Sequence, residues 1–299
     1  PPYNTGKDFV YPDNFKEGLQ NYLEFSQQVD EGNKKISTNT ETAGRYHSNW
    51  LNMMYPRLKL ARNLLTDDGV IFISIDDAEQ ANLKKICDEI FGEGNFVSQI
   101  VWQKKYAPQN DAKYFSTSHD YILIYARSIE RFSRNLLPRS KEQLARYKNI
   151  DNDPRGPWQS DNFTVATYSA SYDYPITLPS GRTINPTPGR CWRTSYENYK
   201  KLVADNRISF GLDGDNVPRI KRFLSEVQDG SVPETLWLYK DVGHNQGAAT
   251  SLKNLMDGKK YFDYPKPVTL IEFMAKIASS RDSLILDFFA GSATTAHAV

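Results

Sequence analysis

A continuous apolar run, Val70–Ile75, most constrains the fold of this chain. The run lacks the polar alternation of a strand with one face in water, so we expect a strand covered on both faces. An amphipathic helix is predicted before it, between Tyr46 and Leu65, with Pro56 marking a kink or a boundary. A second helix, Glu79–Phe91, is predicted after it. A buried strand between two helices is typical of an α/β layer.

Two further strands, Phe96–Lys104 and Tyr121–Arg127, are predicted after the second helix. This alternation of strands and helices predicts a doubly wound, mostly parallel α/β sheet. Asp76 and Asp77 directly precede the second helix and are better explained as its N-cap than as paired catalytic carboxylates. His119 has two interpretations, a group that orients a substrate or an ordinary packed side chain.

The composition excludes several classes of protein. Hydrophobic residues make up 39% of the 299 residues and no apolar run has membrane-spanning length, so no membrane is expected as a partner. The two cysteines, Cys87 and Cys191, lie far apart without spaced partners, which argues against a disulfide framework or a metal site and fits a reducing cytoplasm. With a formal net charge of +1, any binding to a polyanion requires local basic patches.

The middle of the chain, residues 128–258, has weak periodicity, with basic residues among aromatic ones. Lys and Arg at this density neutralise phosphates, and Arg also recognises guanine edges. The alternative is a solvated surface that nearby acidic side chains partly neutralise, and composition alone leaves both interpretations open. The candidate DNA contacts are Arg190, Arg193, Lys200, Lys201, Arg219, Lys221 and Arg222.

Both ends of the chain have loops that suit a ligand site. Pro1 and Pro2 fix their own φ angles and place Tyr3 on a constrained loop, and a helix is predicted further on, near Phe15–Val29. Near the other end, Leu284–Leu286 is predicted as an apolar strand leading into a small-residue loop and a helix. Glycine in such a loop lets the backbone approach a ligand, although a plain turn explains the loop at least as well when it is taken alone.

Several motifs in register carry a resemblance to a known family. Their order is the Pro-Pro-Tyr loop, the middle insert, a Pro-Lys-Pro segment around Lys266, and the loop 287–294. Further stretches that support the resemblance are Gly44–Trp50, Tyr55–Arg62, Asp67–Asp77, Ser118–Leu123, Pro188–Arg193 and Val242–Gln246. Together they resemble the DNA amino-methyltransferases whose catalytic motif precedes the cofactor motif, and in particular the modification subunit of type III restriction–modification systems.

The resemblance implies a fold, a reaction and partners. We expect the S-adenosylmethionine-dependent methyltransferase fold, with a catalytic half at 1–127, an inserted α+β target-recognition region at 128–258 and a cofactor-binding half at 259–299. The implied reaction transfers a methyl group from S-adenosylmethionine to adenine N6 in DNA. The alternatives are methylation of cytosine N4 and a catalytically silent DNA-recognition subunit. The implied partners are double-stranded DNA, a second copy of the subunit and a restriction/helicase subunit.

The same resemblance implies roles for individual residues. The carbonyl of Pro1 is expected to accept a hydrogen bond from the target amine, and Tyr3, after Pro2, to stack on the flipped base. Asp287 is expected to bind the ammonium group of the cofactor's methionine part, with Lys266 nearby. The other expected cofactor-binding residues are Phe288, Phe289, Gly291, Ser292 and Thr294.

The sequence departs from the family pattern in three places. The Asp of the family's Asp-Pro-Pro-Tyr motif does not precede Pro1 here, and the chain stops at Val299 before the acidic residue expected on the cofactor ribose. We therefore expect a piece of a longer protein, truncated at both ends, that does not methylate DNA by itself. Ala293 stands where the family usually has Gly, and we expect the turn to tolerate it only if φ there is negative.

Overall fold

The computed structural model describes residues 1–5 and 42–299, so the helix predicted near Phe15–Val29 lies outside the described residues. The helices are α1 (Thr42–Leu64), α2 (Gln80–Phe91), α3 (Lys141–Leu144), α4 (Tyr196–Ala204), α5 (Tyr239–Val242), α6 (Asn245–Leu255), α7 (Val268–Ala278) and α8 (Thr294–Ala298). The strands are β1 (Val70–Ile75), β2 (Phe96–Gln103), β3 (His119–Ala126), β4 (Trp158–Asn162), β5 (Thr164–Val165), β6 (Ile176–Thr177), β7 (Thr183–Ile184), β8 (Cys191–Trp192), β9 (Ile208–Ser209), β10 (Arg219–Phe223) and β11 (Leu236–Trp237). Within the described ranges, no helix is long and apolar enough to cross a membrane.

The chain forms two compact units, Pro1–Leu137 with Val232–Val299, and Pro138–Ser231. Residues 128–137 and 232–258, which the predicted middle region includes, therefore belong to the first unit. The boundaries predicted after residues 127 and 258 separate catalytic, recognition and cofactor-binding regions and not compact units. That functional division remains a prediction.

The sheet of the first unit has the strand order β1-β3-β2-β11. Side chains alternate between its faces, so Ile71 and Ile73 join a core that contains Trp50 and Met54 of α1, while Phe72 packs against the opposite core. The opposite core also contains α7 side chains and the fully buried Trp102. Both faces of β1 are thus covered, as the apolar run predicts. Each large apolar side chain buried in this way contributes about 1.5–3 kcal/mol.

The predicted parallel arrangement is not found in this sheet. β3 pairs antiparallel with both β1 and β2, and only the short β11 runs parallel to β2. A continuous apolar run reports that both faces of a strand are covered, which is equally true of an antiparallel strand between two helical layers. The mixed α/β character is confirmed, whereas the parallel direction of these neighbouring strands was a wrong inference.

The segment between β1 and α2 also differs from the prediction. Asp76 does not cap α2, because its Oδ1 accepts a 3.0 Å hydrogen bond from the amide of Ala78 in a tight turn that precedes the helix. The N-cap residue of α2 is Glu79, whose side chain makes no capping bond. Pro56, in turn, lies inside α1, which continues past it.

The second unit is built from small antiparallel sheets. β10 pairs with β4 and with β9, while β5 pairs with β8 and β6 with β7. Its core combines the stacked rings of Phe163 and Trp192 with Tyr199 of α4 and with Ile208. Short strands around an aromatic core agree with the α+β character expected for the insert.

Candidate active site

The loop at Pro1–Tyr3 is fixed to the first core. The carbonyl of Pro2 accepts a 2.9 Å hydrogen bond from Nε1 of Trp50, a fully buried residue of α1. The half-buried ring of Tyr3 packs against the core that contains Trp50. Two prolines and a bond to a buried indole leave this loop little conformational freedom.

The hydroxyl group of Tyr3 meets a buried ion pair. It donates a 3.3 Å hydrogen bond to Oδ2 of Asp120, whose Oδ1 contacts the ammonium group of Lys104. Asp120 is 1% exposed. Burial, and next the charge of Asp120, raises the pKa of Tyr3 well above its ordinary value. Tyr3 is therefore a neutral hydrogen-bond donor at physiological pH. Its backbone is fixed through the Pro2 carbonyl, and its hydroxyl is fixed by Asp120.

Strand register explains why these groups are neighbours. Trp102 of β2 lies opposite Asp120 of β3, and the amide of Lys104 bonds to the carbonyl of Ser118 at 2.9 Å. Lys104 and Trp102 are two residues apart, so they project from the same face as Asp120. The half-buried Asp76 follows β1 at the same edge, and burial raises the pKa of its carboxyl although the amide of Ala78 opposes the shift.

Lys266 brings the second predicted motif to this site. Its ammonium nitrogen lies 4.8 Å from the centre of the Tyr3 ring and 5.6 Å from that of Trp102, within the range of cation–π attraction. The flanking Pro265 and Pro267 are buried and fix the backbone that presents it. Burial lowers the pKa of Lys266, while the charge of Asp120 opposes the shift.

The loop 287–294 is joined to the same segment. Oγ1 of Thr294 donates a 3.3 Å hydrogen bond to the carbonyl of Lys266 and lies 3.0 Å from Oγ of Ser292. Phe289 packs against the core that Tyr3 also contacts, and its ring centre is 5.0 Å from that of Phe288. The predicted catalytic loop, the Pro-Lys-Pro segment and the small-residue loop therefore meet in one region of the first unit.

Asp287 organises the small-residue loop. Its Oδ1 accepts a 3.1 Å bond from the amide of Phe289, and its Oδ2 accepts a 2.6 Å bond from Oγ1 of Thr295. Gly291 has φ +54°, and a Cβ there would lie 3.4 Å from the ring of Phe262. The loop thus combines an exposed carboxylate, two aromatic rings and a glycine whose φ suits no bulky residue.

Two expectations about this loop were wrong. Leu284–Leu286 forms no strand in the structure, and its side chains are exposed, so an apolar run was not sufficient to define a strand without a paired neighbour. Ala293, expected to be tolerated only at negative φ, adopts φ +58° as the N-cap residue of α8. Left-handed backbone at alanine is strained, which explains why glycine suits this position better.

Sequence reasoning passed over the buried acid in this site. Asp120 follows His119, whose Nε2 lies 3.1 Å from the hydroxyl of Tyr121 and whose ring packs edge-on against that tyrosine. The structure therefore favours the packed interpretation of His119. An acidic residue at the start of a strand that is otherwise buried was the available signal for Asp120.

The basic side chains of the second unit divide into two groups. Arg193 and Arg222 both contact Oδ2 of Asp161, at 2.9 and 3.3 Å. Lys221 is 3% exposed, and its ammonium contacts the carboxylate of Asp151, so its predicted DNA contact is not retained. The exposed predicted contacts are Arg190, Lys200, Lys201 and Arg219, and Arg222 is also half exposed although it contacts Asp161.

With this geometry established, comparison with known proteins defines the class. The DNA methylase family model N6_N4_Mtase matches residues 1–299, and the chain belongs to this family. It is 41% identical to the type III restriction-modification enzyme StyLTI Mod subunit of Salmonella typhimurium, over the whole chain and 45% of that relative.

Two other relatives extend the comparison. The type III enzyme EcoPI Mod subunit of Escherichia phage P1 is 35% identical over the whole chain and 50% of its own length. The type II methyltransferase M.KpnI of Klebsiella pneumoniae is 29% identical over the whole chain and 69% of its own length. The chain thus spans about half the length of the type III relatives. The resemblance based on the motifs is confirmed.

Proposed function

We propose that this chain contains the methyl-transfer site of a DNA adenine-N6 methyltransferase, the modification and specificity subunit of a type III restriction–modification system. One observation carries the proposal. The ammonium group of Lys266 lies over the ring of Tyr3, and the backbone carbonyl of Lys266 accepts a hydrogen bond from Thr294. Motifs from both ends of the sequence therefore lie together. The family and the type III relatives support the reaction class and the system.

The residues of the loop 287–294 fit S-adenosylmethionine. The carboxylate of Asp287 suits the ammonium group of the methionine part, and the rings of Phe288 and Phe289 suit an adenine. Gly291, at positive φ, brings backbone close to a ligand without a side chain. When bound, the cofactor supplies a methyl group on a cationic sulfur.

The protein's own task is to position the target amine. Because the Pro2 carbonyl is bonded to Trp50, the acceptor for the amine is assigned to the Pro1 carbonyl, as the family pattern implies. Tyr3 provides the stacking surface for a flipped base, with its hydroxyl held by Asp120. Asp76 and Asp120 balance the charges of Lys104 and Lys266 at this edge, which limits repulsion of a cationic donor.

The second unit is proposed as the target-recognition region. The residues assigned to DNA contacts because their side chains are exposed are Arg190, Lys200, Lys201, Arg219 and Arg222. The guanidinium of Arg219 is oriented by a 3.0 Å bond to Oδ1 of Asn162. We further propose a homodimer, a cytoplasmic location, a wider doubly wound sheet and a restriction subunit as partner; only the last is supported by the relatives, which are named Mod subunits of restriction-modification enzymes.

The test is a methylation assay on the complete gene product. Unmethylated DNA is incubated with S-adenosylmethionine, digested to nucleosides and analysed by mass spectrometry. N6-methyladenine is the expected product, whereas N4-methylcytosine would establish the other amino-methyltransferase. Tyr3→Ala should lower the rate at least about 100-fold with DNA binding retained. Tyr114→Ala, at a tyrosine that is 79% exposed, is the matched control. No methylation by a folded, DNA-binding wild type would favour the silent recognition subunit.

A further inference from the structure

A buried carboxylate lies beside the proposed catalytic loop. Glu79, the residue before α2, is fully buried. Its Oε1 accepts a 2.5 Å hydrogen bond from Nδ2 of Asn4 and lies 2.7 Å from Nδ1 of His47. Its Oε2 accepts a 2.8 Å bond from Nδ2 of Asn82. One side chain therefore joins the catalytic loop to α1 and to the first turn of α2.

The energetics of burial make this junction rigid. A carboxylate removed from water is stable only when donors replace its hydration. Asn4, His47 and Asn82 are such donors for Glu79, and moving any of them away leaves a buried oxygen without that partner. The position of Asn4 is thus coupled to the folding of two helices.

Asn4 transmits this constraint to Tyr3. It directly follows Tyr3, is 1% exposed and has φ +57°, a left-handed conformation that asparagine tolerates better than most residues. On the other side of Tyr3, the Pro2 carbonyl is bonded to Trp50. The backbone on both sides of the stacking residue is therefore fixed to the interior by a side-chain hydrogen bond.

We propose that Glu79 is a positioning residue for methyl transfer, acting through Asn4 to hold Tyr3 and the preceding proline carbonyls in the geometry that the flipped base requires. This inference rests on the proposed function. Glu79 contacts the loop and not the site itself, since its oxygens face Asn4, His47 and Asn82. Orientation of a catalytic group by a second layer of hydrogen bonds is a general requirement for precise sites.

The experiment compares three variants of the complete gene product. Asn4→Gly removes the donor but keeps a residue that accepts positive φ. Glu79→Gln replaces the acceptor at nearly constant volume. Tyr55→Phe is the control, because it removes a hydrogen bond between α1 and α2 that involves neither Glu79 nor the loop. Methylation rate, KM for S-adenosylmethionine, and amide hydrogen exchange of the peptide that contains Tyr3 are measured for each.

Asn4→Gly and Glu79→Gln are each expected to lower kcat by about 10- to 100-fold, since a displacement of about 1 Å is enough for such a loss. KM for S-adenosylmethionine should stay within about threefold, because Asp287 and its loop are untouched. Exchange at the Tyr3 peptide should accelerate in both variants, and Tyr55→Phe should resemble the wild type. The double variant, Asn4→Gly with Glu79→Gln, should have a kcat no lower than that of the slower single variant, because both substitutions break the same Asn4–Glu79 hydrogen bond.

Wild-type kcat and unchanged exchange in Asn4→Gly would overturn the inference, and this variant decides the question if Glu79→Gln does not fold. An inactive wild type would instead refute the proposed function. In that case hydrogen exchange at the Tyr3 peptide still tests whether Glu79 holds the loop.

Discussion

The ion pair beneath Tyr3 gives a quantitative prediction. Asp120→Asn keeps the size of the side chain but removes the charge that faces the ammonium of Lys104. The Asp120 side chain is 2% exposed and that of Lys104 is 16% exposed, so water replaces the lost partner poorly. Breaking a buried pair costs about 3–5 kcal/mol, and the asparagine oxygen remains as a neutral acceptor, so we expect a loss of roughly 2–3 kcal/mol in unfolding free energy.

The assay is urea unfolding of the chain, together with thermal melting. For a unit of this size, a loss of that magnitude lowers Tm by about 4–12 °C. Asp67→Asn is the matched control, because Asp67 and Arg131 form an ion pair in which both side chains are 65% exposed. Exposed pairs contribute about 0–1 kcal/mol, so this control should change Tm by less than about 4 °C.

A double-mutant cycle separates the pair from its surroundings. Lys104→Met alone leaves the buried carboxylate of Asp120 without its cation and should also destabilise the first unit. The combination of Asp120→Asn with Lys104→Met should be more stable than the sum of the two single losses predicts, because neither charge then remains unpaired. Equal effects of Asp120→Asn and the Asp67→Asn control, or strict additivity in the cycle, would refute the reasoning.

Four further predictions concern Lys221, Lys200, Lys266 and Ala293. Lys221→Met should destabilise the second unit by about 2–4 kcal/mol in urea unfolding, whereas Lys200→Ala should leave stability unchanged and reduce the salt dependence of DNA binding by about one phosphate contact. The folded-state pKa of Lys266 lies below the unfolded value of 10.5, so the unfolded chain binds more protons between the two pKa values. The unfolding free energy should therefore rise with pH between these two pKa values. If the unfolding free energies of the wild type and of Lys266→Met changed in parallel over this pH range, the prediction would be contradicted. Ala293→Gly should stabilise the chain by about 1 kcal/mol in thermal melting, because it relieves left-handed strain at the N-cap of α8; a loss of stability would show that the strain is absent.

Local patterns predicted the elements of this chain well where burial alone defines them. The strands predicted over Phe96–Lys104 and Tyr121–Arg127 appear as β2 and β3 within two residues of the expected ends. The predicted helix Glu79–Phe91 appears as α2, which buries Leu83, Cys87 and Ile90. Periodicity succeeds here because it reports which side chains face the core, and that information is local.

The same patterns carried no information about long-range polar pairs. Tyr3 and Asp120 are 117 positions apart, and Asn4 and Glu79 are 75 apart, so no spacing rule connects them. The expectation that alanine is tolerated at position 293 only with negative φ failed for a different reason. Alanine favours negative φ by itself, and the surrounding turn overrides that preference.

The direction of β3, which the sequence argument had reversed, is the property that assembles the site. Because β3 runs antiparallel to β1 and β2, its first residues meet the last residues of both strands, with Tyr121 opposite Ile75 and Asp120 opposite Trp102. In a parallel arrangement the start of β3 would lie at the far edge from those strand ends. The acid that holds Tyr3 and the lysine that pairs with it therefore share an edge only in the observed topology. The orientation of the proposed catalytic residue Tyr3 by Asp120 thus depends on strand direction, which hydrophobic patterning does not specify.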